Sequence, residues 1–102
     1  MALYNEYTLE APAGSPAYVS SYFIREAASN ALGSTIKARI IAAITSEASG
    51  EWIDSEDHTM LSSSKFHCVR IFKAGTPDSL IAEMEGYLES LNGLGWTYTR
   101  VA

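Results

Sequence analysis

The side chains best suited to metal binding or catalysis are two histidines, one cysteine and twelve acidic residues in a chain of 102 residues. Five acids fall within eleven residues that contain no Lys or Arg, at Glu47, Glu51, Asp54, Glu56 and Asp57. The other seven acids balance seven Lys and Arg residues, so this acidic segment accounts for the formal charge of -5. Because opposite charges orient protein association, the segment predicts a solvated loop or a surface that docks on a basic partner. That surface would comprise Glu51, Trp52, Asp54, Glu56 and Asp57.

A metal site in the acidic segment is a secondary hypothesis. If residues 52–61 form a strand, the two-residue period of a strand places Asp54, Glu56 and His58 on one face. Two carboxylates and an imidazole can bind a divalent metal. The spacing does not match a calcium-binding loop, because the glycine and the twelfth-position glutamate of such a loop are absent. We expect no bound cofactor, and we favour the solvated loop or docking surface over this metal site.

Nucleophilic catalysis is disfavoured by the placement of the only cysteine, Cys68. His67 is adjacent to it, and adjacent strand residues point to opposite faces, so the two do not form a dyad. His58 can reach Cys68 only through the tertiary fold. The sequence also lacks a Gly-x-Ser-x-Gly elbow and a phosphate-binding glycine loop. A lone cysteine in an apolar strand is typical of a small core residue, and we therefore expect no catalytic residues.

Charge and hydropathy exclude several classes of protein. A negative net charge has the wrong sign for a domain that neutralises phosphates along nucleic acid. No stretch approaches the roughly 20 apolar residues of a membrane helix, and no signal-like segment is present. These features predict a cytoplasmic protein, located in the host cytoplasm or the virion if it is viral. Hydrophobic residues make up 47% of the chain, and no linker or repeat divides it, so we expect a single domain over residues 1–102.

Aromatic residues favour an interaction function, because exposed Tyr and Trp side chains are enriched at protein interfaces. The amphipathic rings are Tyr4, Tyr7, Tyr18, Tyr22, Trp52, Tyr87, Trp96 and Tyr98. Our leading hypothesis is a non-enzymatic interaction or assembly module, either a homo-oligomeric subunit or an acidic protein that docks on a basic partner. A viral assembly subunit or a small inhibitor would fit that size and charge. The alternative is a small metal- or ligand-dependent enzyme, or a ligand-binding domain, whose site is completed between subunits.

The N-terminal half is predicted to contain a strand and two helical stretches. Alternation over residues 3–10 predicts a strand with one half-buried face formed by Leu3, Asn5, Tyr7 and Leu9. Residues 17–32 fit a helix, although 17–24 also have strand propensity. Ser15 and Pro16, as N-cap and first helical residue, favour the helix. A second helix begins at Ser34, has an apolar stripe and stops at Gly50; the stripe comprises Ile36, Ile40, Ile41, Ile44 and Ala48.

The C-terminal half predicts a strand, a helix and a strand. Residues 65–73 have apolar side chains on both faces, which is typical of a central strand; Arg70 is the exception, expected beside an acid, at an edge or in an interface. Thr76 as N-cap begins a helix over 77–91 that ends with Gly93 in the left-handed conformation, and residues 96–101 form the last strand. Together these elements predict an α+β domain: a sheet of about 3–5 strands, two or three helices packed on it, and a C-terminal β-α-β unit.

Overall fold

A computed structural model of the chain describes residues 3–33 and 52–101. These residues form an α+β domain with a four-stranded antiparallel sheet in the order β2-β3-β1-β4. The elements are β1 (Tyr4–Glu10), α1 (Ser21–Leu32), β2 (Ile53–Ser62), β3 (Lys65–Phe72), α2 (Asp78–Ser90), a 3-10 turn (Leu91–Leu94) and β4 (Thr97–Arg100). The helix predicted after Ser34, with Ile36, Ile40, Ile41, Ile44 and Ala48, lies outside the described residues, as do Glu47 and Glu51.

The alternating pattern of β1 correctly predicts which of its side chains enter the core. Asn5, Tyr7 and Leu9 of β1 are buried, and residues between them are half-buried on the opposite face. In β3 the buried positions are Phe66, Cys68, Arg70 and Phe72. Since β3 lies between β2 and β1, its prediction as a central strand is confirmed.

Both described helices contribute to the core that covers one face of this sheet. From α1 the core takes Ile24 and Ala28. From α2 it takes four apolar side chains at helical spacing, Leu80, Ile81, Met84 and Leu88. The opposite face of the sheet, which we call the outer face, holds half-buried or exposed residues such as Glu6, His67 and Ile71. The face under the helices is called the inner face.

Of the predicted stretch 17–32, residues 21–32 form helix α1, whereas residues 17–20 are neither helix nor strand, so α1 begins later than the sequence predicts. Its N-cap is Ser20, not Ser15. The backbone before it is tied to the turn between β2 and β3, because Ala11 N–H donates to the Ser64 carbonyl at 2.8 Å and Tyr18 N–H to the Ser63 carbonyl at 2.7 Å. These tertiary hydrogen bonds hold the segment outside the helix and thereby delay its start.

The capping predictions for α2 are also wrong by a residue or two. Pro77 occupies the N-cap position, and Thr76 instead donates its hydroxyl to the Lys73 carbonyl at 2.6 Å. At the other end the 3-10 turn continues the chain past Gly93, so the left-handed residue is Gly95, with φ of 92°. A glycine is needed there because other residues rarely adopt that conformation.

The C-terminal order of strand, helix and strand is present, but its two strands are not neighbours. The last strand, β4, pairs antiparallel with β1, and β1 pairs antiparallel with β3. Consequently β3 and β4 run in the same direction with β1 between them. No helix within residues 3–33 or 52–101 has the length and apolar character needed to cross a membrane.

Candidate functional site

The register of the β2–β3 hairpin brings four polar side chains together on the inner face. Glu56 lies opposite Arg70, and His58 lies opposite Cys68. A bulge in β2 between Ile53 and Ser55 adds one residue to that strand. In a regular strand, residues three positions apart point to opposite faces. Because of the extra residue, Ile53 and Glu56 both face the core. We call Glu56, His58, Cys68 and Arg70 the inner-face cluster.

Within this cluster the Glu56 carboxylate lies between two basic groups. Its Oε1 is 3.3 Å from His58 Nε2, and its Oε2 is 3.5 Å from Arg70 Nε. The side chains of Glu56 and Arg70 are 1% and 0% exposed, and that of His58 is 11% exposed. A buried arginine beside a carboxylate is one of the three arrangements that the sequence left open for Arg70. Arg70 lies on β3, which is a central strand of the described sheet, so the edge position is excluded.

Three of these residues present potential metal ligands to one another. The ligand atoms of Glu56, His58 and Cys68 all lie within 4.8 Å of one another. Among the described residues, neither carboxylate oxygen of Glu56 nor Nε2 of His58 has a hydrogen-bond partner, although each lies near an ion-pair partner. Buried polar atoms are normally hydrogen-bonded, so a group of them converging on one point needs a physical explanation.

The electrostatics of the inner face keep the thiol protonated and the guanidinium charged. Burial raises the pKa of Cys68, and the charge of Arg70 offsets only part of that rise. Burial alone would lower the pKa of Arg70, but Tyr7 and Glu56 outweigh it and raise that pKa. The Tyr7 hydroxyl is itself buried, which raises its pKa strongly. The thiol therefore becomes a thiolate at neutral pH only if something displaces its proton.

The residues predicted from the acidic segment are separated by the fold. The side chain of Glu56 is buried and so cannot act as a surface acid, whereas Asp54 and Asp57 are exposed. The bulge also breaks the two-residue period, so Asp54 does not share a face with Glu56 and His58 as the sequence predicts. Trp52 is half-buried. Glu51, the fifth member of the predicted docking surface, lies outside the described residues.

Sequence reasoning missed Cys68 as a neighbour of Glu56 and His58. The signal that could have found it is the run of Ser62, Ser63 and Ser64, which contains the turn of the hairpin. A hairpin folded at Ser63 pairs His58 with Cys68 and Glu56 with Arg70 by symmetry of spacing. The sequence suggests the turn, but the bulges that adjust the register are not visible in it.

A second histidine and glutamate pair lies on the outer face. His67 Nε2 is 2.6 Å from Glu6 Oε2, and the Tyr4 hydroxyl donates to the other oxygen of Glu6. The Tyr4 hydrogen bond, followed by that of His67, lowers the pKa of Glu6, and the same carboxylate raises the pKa of Tyr4. His67 is thus on the face opposite Cys68, as strand geometry requires.

The aromatic side chains expected at the surface divide between core and surface. Tyr7, Trp96 and Tyr98 are buried. Among residues 3–33 and 52–101, three exposed apolar side chains group around the start of α1: Val19 is 86% exposed, Tyr22 45% and Phe23 46%. We call these three residues the α1 patch. A shallow cleft of about 410 Å³ borders it, lined by Ala17, Tyr18, Val19, Phe23, Glu26, Ala27 and Asn30.

When the chain is compared with protein families, with curated proteins and with solved structures, none of them matches it. Fold architecture alone does not identify a function, because small α+β domains host many unrelated ones.

Proposed function

We propose that the chain is a non-enzymatic protein-interaction domain that docks the α1 patch on a basic, apolar segment of a partner protein. The observation that carries this proposal is the adjacent exposure of Val19, Tyr22 and Phe23. Large contiguous apolar surfaces on a folded domain commonly mark sites of association. Aromatic anchors supply much of the binding energy at protein interfaces because they bury a large area with few rotatable bonds.

The aromatic part of the α1 patch is held in place before any partner binds. The rings of Tyr22 and Phe23 meet edge to face, with centroids 5.3 Å apart. The Tyr22 hydroxyl donates to Glu26 Oε2 at 2.9 Å. Restricting side chains in advance lowers the entropy lost on binding, so the same contacts give higher affinity.

Charge favours a basic partner over a second copy of the chain. Glu26 borders the patch and is exposed, and the whole chain carries a formal charge of -5. Two copies would therefore repel each other over long distances, whereas a segment rich in Lys or Arg would be attracted. The homo-oligomer expected from the sequence thus becomes the competing outcome of the test.

The proposal is tested with a displayed library of random dodecapeptides selected on the wild-type protein. We expect enrichment of peptides that combine apolar residues with Lys or Arg. Those peptides should bind the double variant Val19→Ser, Phe23→Ser at least tenfold more weakly. Leu61→Ser is the matched control, because Leu61 is a 54% exposed apolar residue outside the patch, and it should bind as the wild type does.

Three results would overturn this proposal. The first is the absence of enriched peptides, or enrichment of acidic ones. The second is equal binding by the patch variant and the Leu61→Ser control. The third is a wild-type dimer in light scattering that the patch variant converts to a monomer, because the patch would then be occupied by a second copy of the chain.

A further inference from the structure

The inner-face cluster offers an oxygen, a nitrogen and a sulfur ligand from two neighbouring strands. A tetrahedral zinc ion keeps its ligand atoms about 3.5 Å apart, given metal–ligand distances of about 2.0–2.3 Å. The ligand atoms of Glu56, His58 and Cys68 lie within 4.8 Å of one another. His58 lies on β2, an edge strand of the described sheet, and is the most exposed of the cluster's ion-paired side chains.

A second observation also points to a ligand at this position. The Glu56 side chain is 1% exposed, yet neither of its oxygens has a hydrogen-bond partner among the described residues. The Nε2 atom of His58 is also buried without a hydrogen-bond partner among the described residues, and it lies 3.3 Å from Glu56 Oε1. Leaving buried polar atoms without hydrogen bonds costs free energy, and a metal ion bonded to these atoms would remove that cost.

Arg70 fits the role of a residue that orients a metal ligand. Its Nε lies 3.5 Å from Glu56 Oε2, which leaves Oε1 facing His58. Groups that contact the distal atom of a ligand commonly fix its orientation and tune its affinity. The guanidinium also repels a cation, and with a divalent metal bound the Glu56 carboxylate and a Cys68 thiolate offset two of the three positive charges.

We infer that Glu56, His58 and Cys68 form a binding site for a divalent transition metal of the zinc type. The donor set selects the metal class, because thiolate and imidazole favour Zn²⁺ and its neighbours, whereas Mg²⁺ and Ca²⁺ prefer oxygen ligands. Binding forms one bond each to sulfur, nitrogen and oxygen, and it releases the thiol proton to solvent. This inference is independent of the α1 patch.

The first experiment is a titration of the metal-free protein with Co²⁺, a spectroscopic substitute for Zn²⁺. Because Cys68 is the only cysteine in the chain, a thiolate-to-cobalt band in the near ultraviolet reports on that residue alone. We expect the band to saturate at one metal per chain and to disappear when Zn²⁺ is added. Affinity should fall as the pH is lowered, because the metal then competes with protons for the thiolate.

The chain supplies its own matched control, because it contains only two histidines. Cys68→Ser should abolish the band, and His58→Gln and Glu56→Gln should each weaken Co²⁺ binding at least tenfold. His67→Gln removes the histidine of the outer-face pair and should leave the band unchanged. If Cys68→Ser does not fold, as judged by circular dichroism, His58→Gln gives the decisive comparison, because its side chain lies on the edge strand.

Several results would overturn the inference. They are a folded wild-type protein that shows no thiolate band, a saturation point of one metal per two chains, and equal affinity of His58→Gln and His67→Gln for Co²⁺. The first would show a buried ion-pair network that does not bind metal, the second a metal shared between two chains, and the third a site that does not use His58.

Discussion

The two histidine and glutamate pairs lie on opposite faces of the same sheet and differ in burial and bonding. On the outer face, His67 and Glu6 are 28% and 23% exposed and lie 2.6 Å apart. On the inner face, His58 and Glu56 are 11% and 1% exposed and lie 3.3 Å apart. The outer pair is hydrogen-bonded. In the inner pair, the Glu56 oxygens and His58 Nε2 have no hydrogen-bond partner among the described residues, and they lie beside a thiol. Thus the same residue types acquire different chemistry from the face on which the fold places them.

The largest expected difference between the pairs is in stability. We predict that Glu56→Gln lowers the free energy of unfolding of the metal-free protein by about 3 kcal/mol, because it leaves the buried Arg70 charge without its carboxylate. Glu6→Gln should have a much smaller effect, because water already solvates that pair. Urea denaturation at pH 7 measures both variants.

If Glu6→Gln destabilises the protein as much as Glu56→Gln, burial does not distinguish the two pairs. Circular dichroism in the absence of urea should show that both variants remain folded before their midpoints are compared.

The next effect in size is a loss of stability at alkaline pH that originates on the inner face. Burial raises the pKa of Cys68 above its ordinary value of 9.0, so the unfolded chain loses the thiol proton first. Stability is therefore complete below pH 9 and falls as the pH rises towards the folded-state pKa, by at most about 1.4 kcal/mol per pH unit for one proton. Urea midpoints between pH 8 and pH 10 measure this slope in metal-free protein.

Cys68→Val supplies the control for that slope, because it keeps an apolar side chain of similar size and removes the proton. We expect the variant to show a shallower decline than the wild type between pH 9 and pH 10. Identical slopes in the two proteins would contradict the assignment to Cys68. Above pH 10 the buried Tyr7 adds its own decline in both proteins, because its pKa is also raised.

The smallest effect belongs to the outer face. Hydrogen bonds from Tyr4 and His67 lower the pKa of Glu6 below its ordinary value of 4.5. The stability that this carboxylate contributes is therefore present above pH 4.5 and is lost as the pH falls through the lowered pKa. A carboxyl carbon titration by NMR should give a midpoint below 4.5, and Tyr4→Phe should move it upwards. An unchanged midpoint in Tyr4→Phe would contradict this account.

Strand β1 was predictable because its pattern is local, whereas β2 was considered only as the alternative to a solvated acidic loop. Asn5, Tyr7 and Leu9 alternate with polar residues, and their shared face follows from the two-residue period of a strand. The helical character of α2 follows in the same way from apolar residues at helical spacing. The helix boundaries were less predictable, since hydrogen bonds from Ala11 and Tyr18 to the β2–β3 turn decide where α1 can begin.

The sequence alone also predicts that two of the four residues of the inner-face cluster share a face. Glu56 and His58 are two residues apart on one strand, so their common face follows from the strand period. Asp54 was wrongly grouped with them because a bulge shifts the period by one residue, and no local signal marks the bulge. The sequence marks Arg70 as a charged residue in an apolar strand, but it does not identify the partner Glu56, which lies on another strand.

The sequence by itself determined the alternating strand faces, the helical spacing of α2, the net charge and the single thiol. Only the tertiary structure decided that β4 pairs with β1, that His67 meets Glu6 across 61 positions, and that Cys68 lies opposite His58. The physical reason is the range of the interactions involved. Backbone periodicity depends on neighbouring residues, whereas register and burial depend on contacts between segments that only the folded chain brings together.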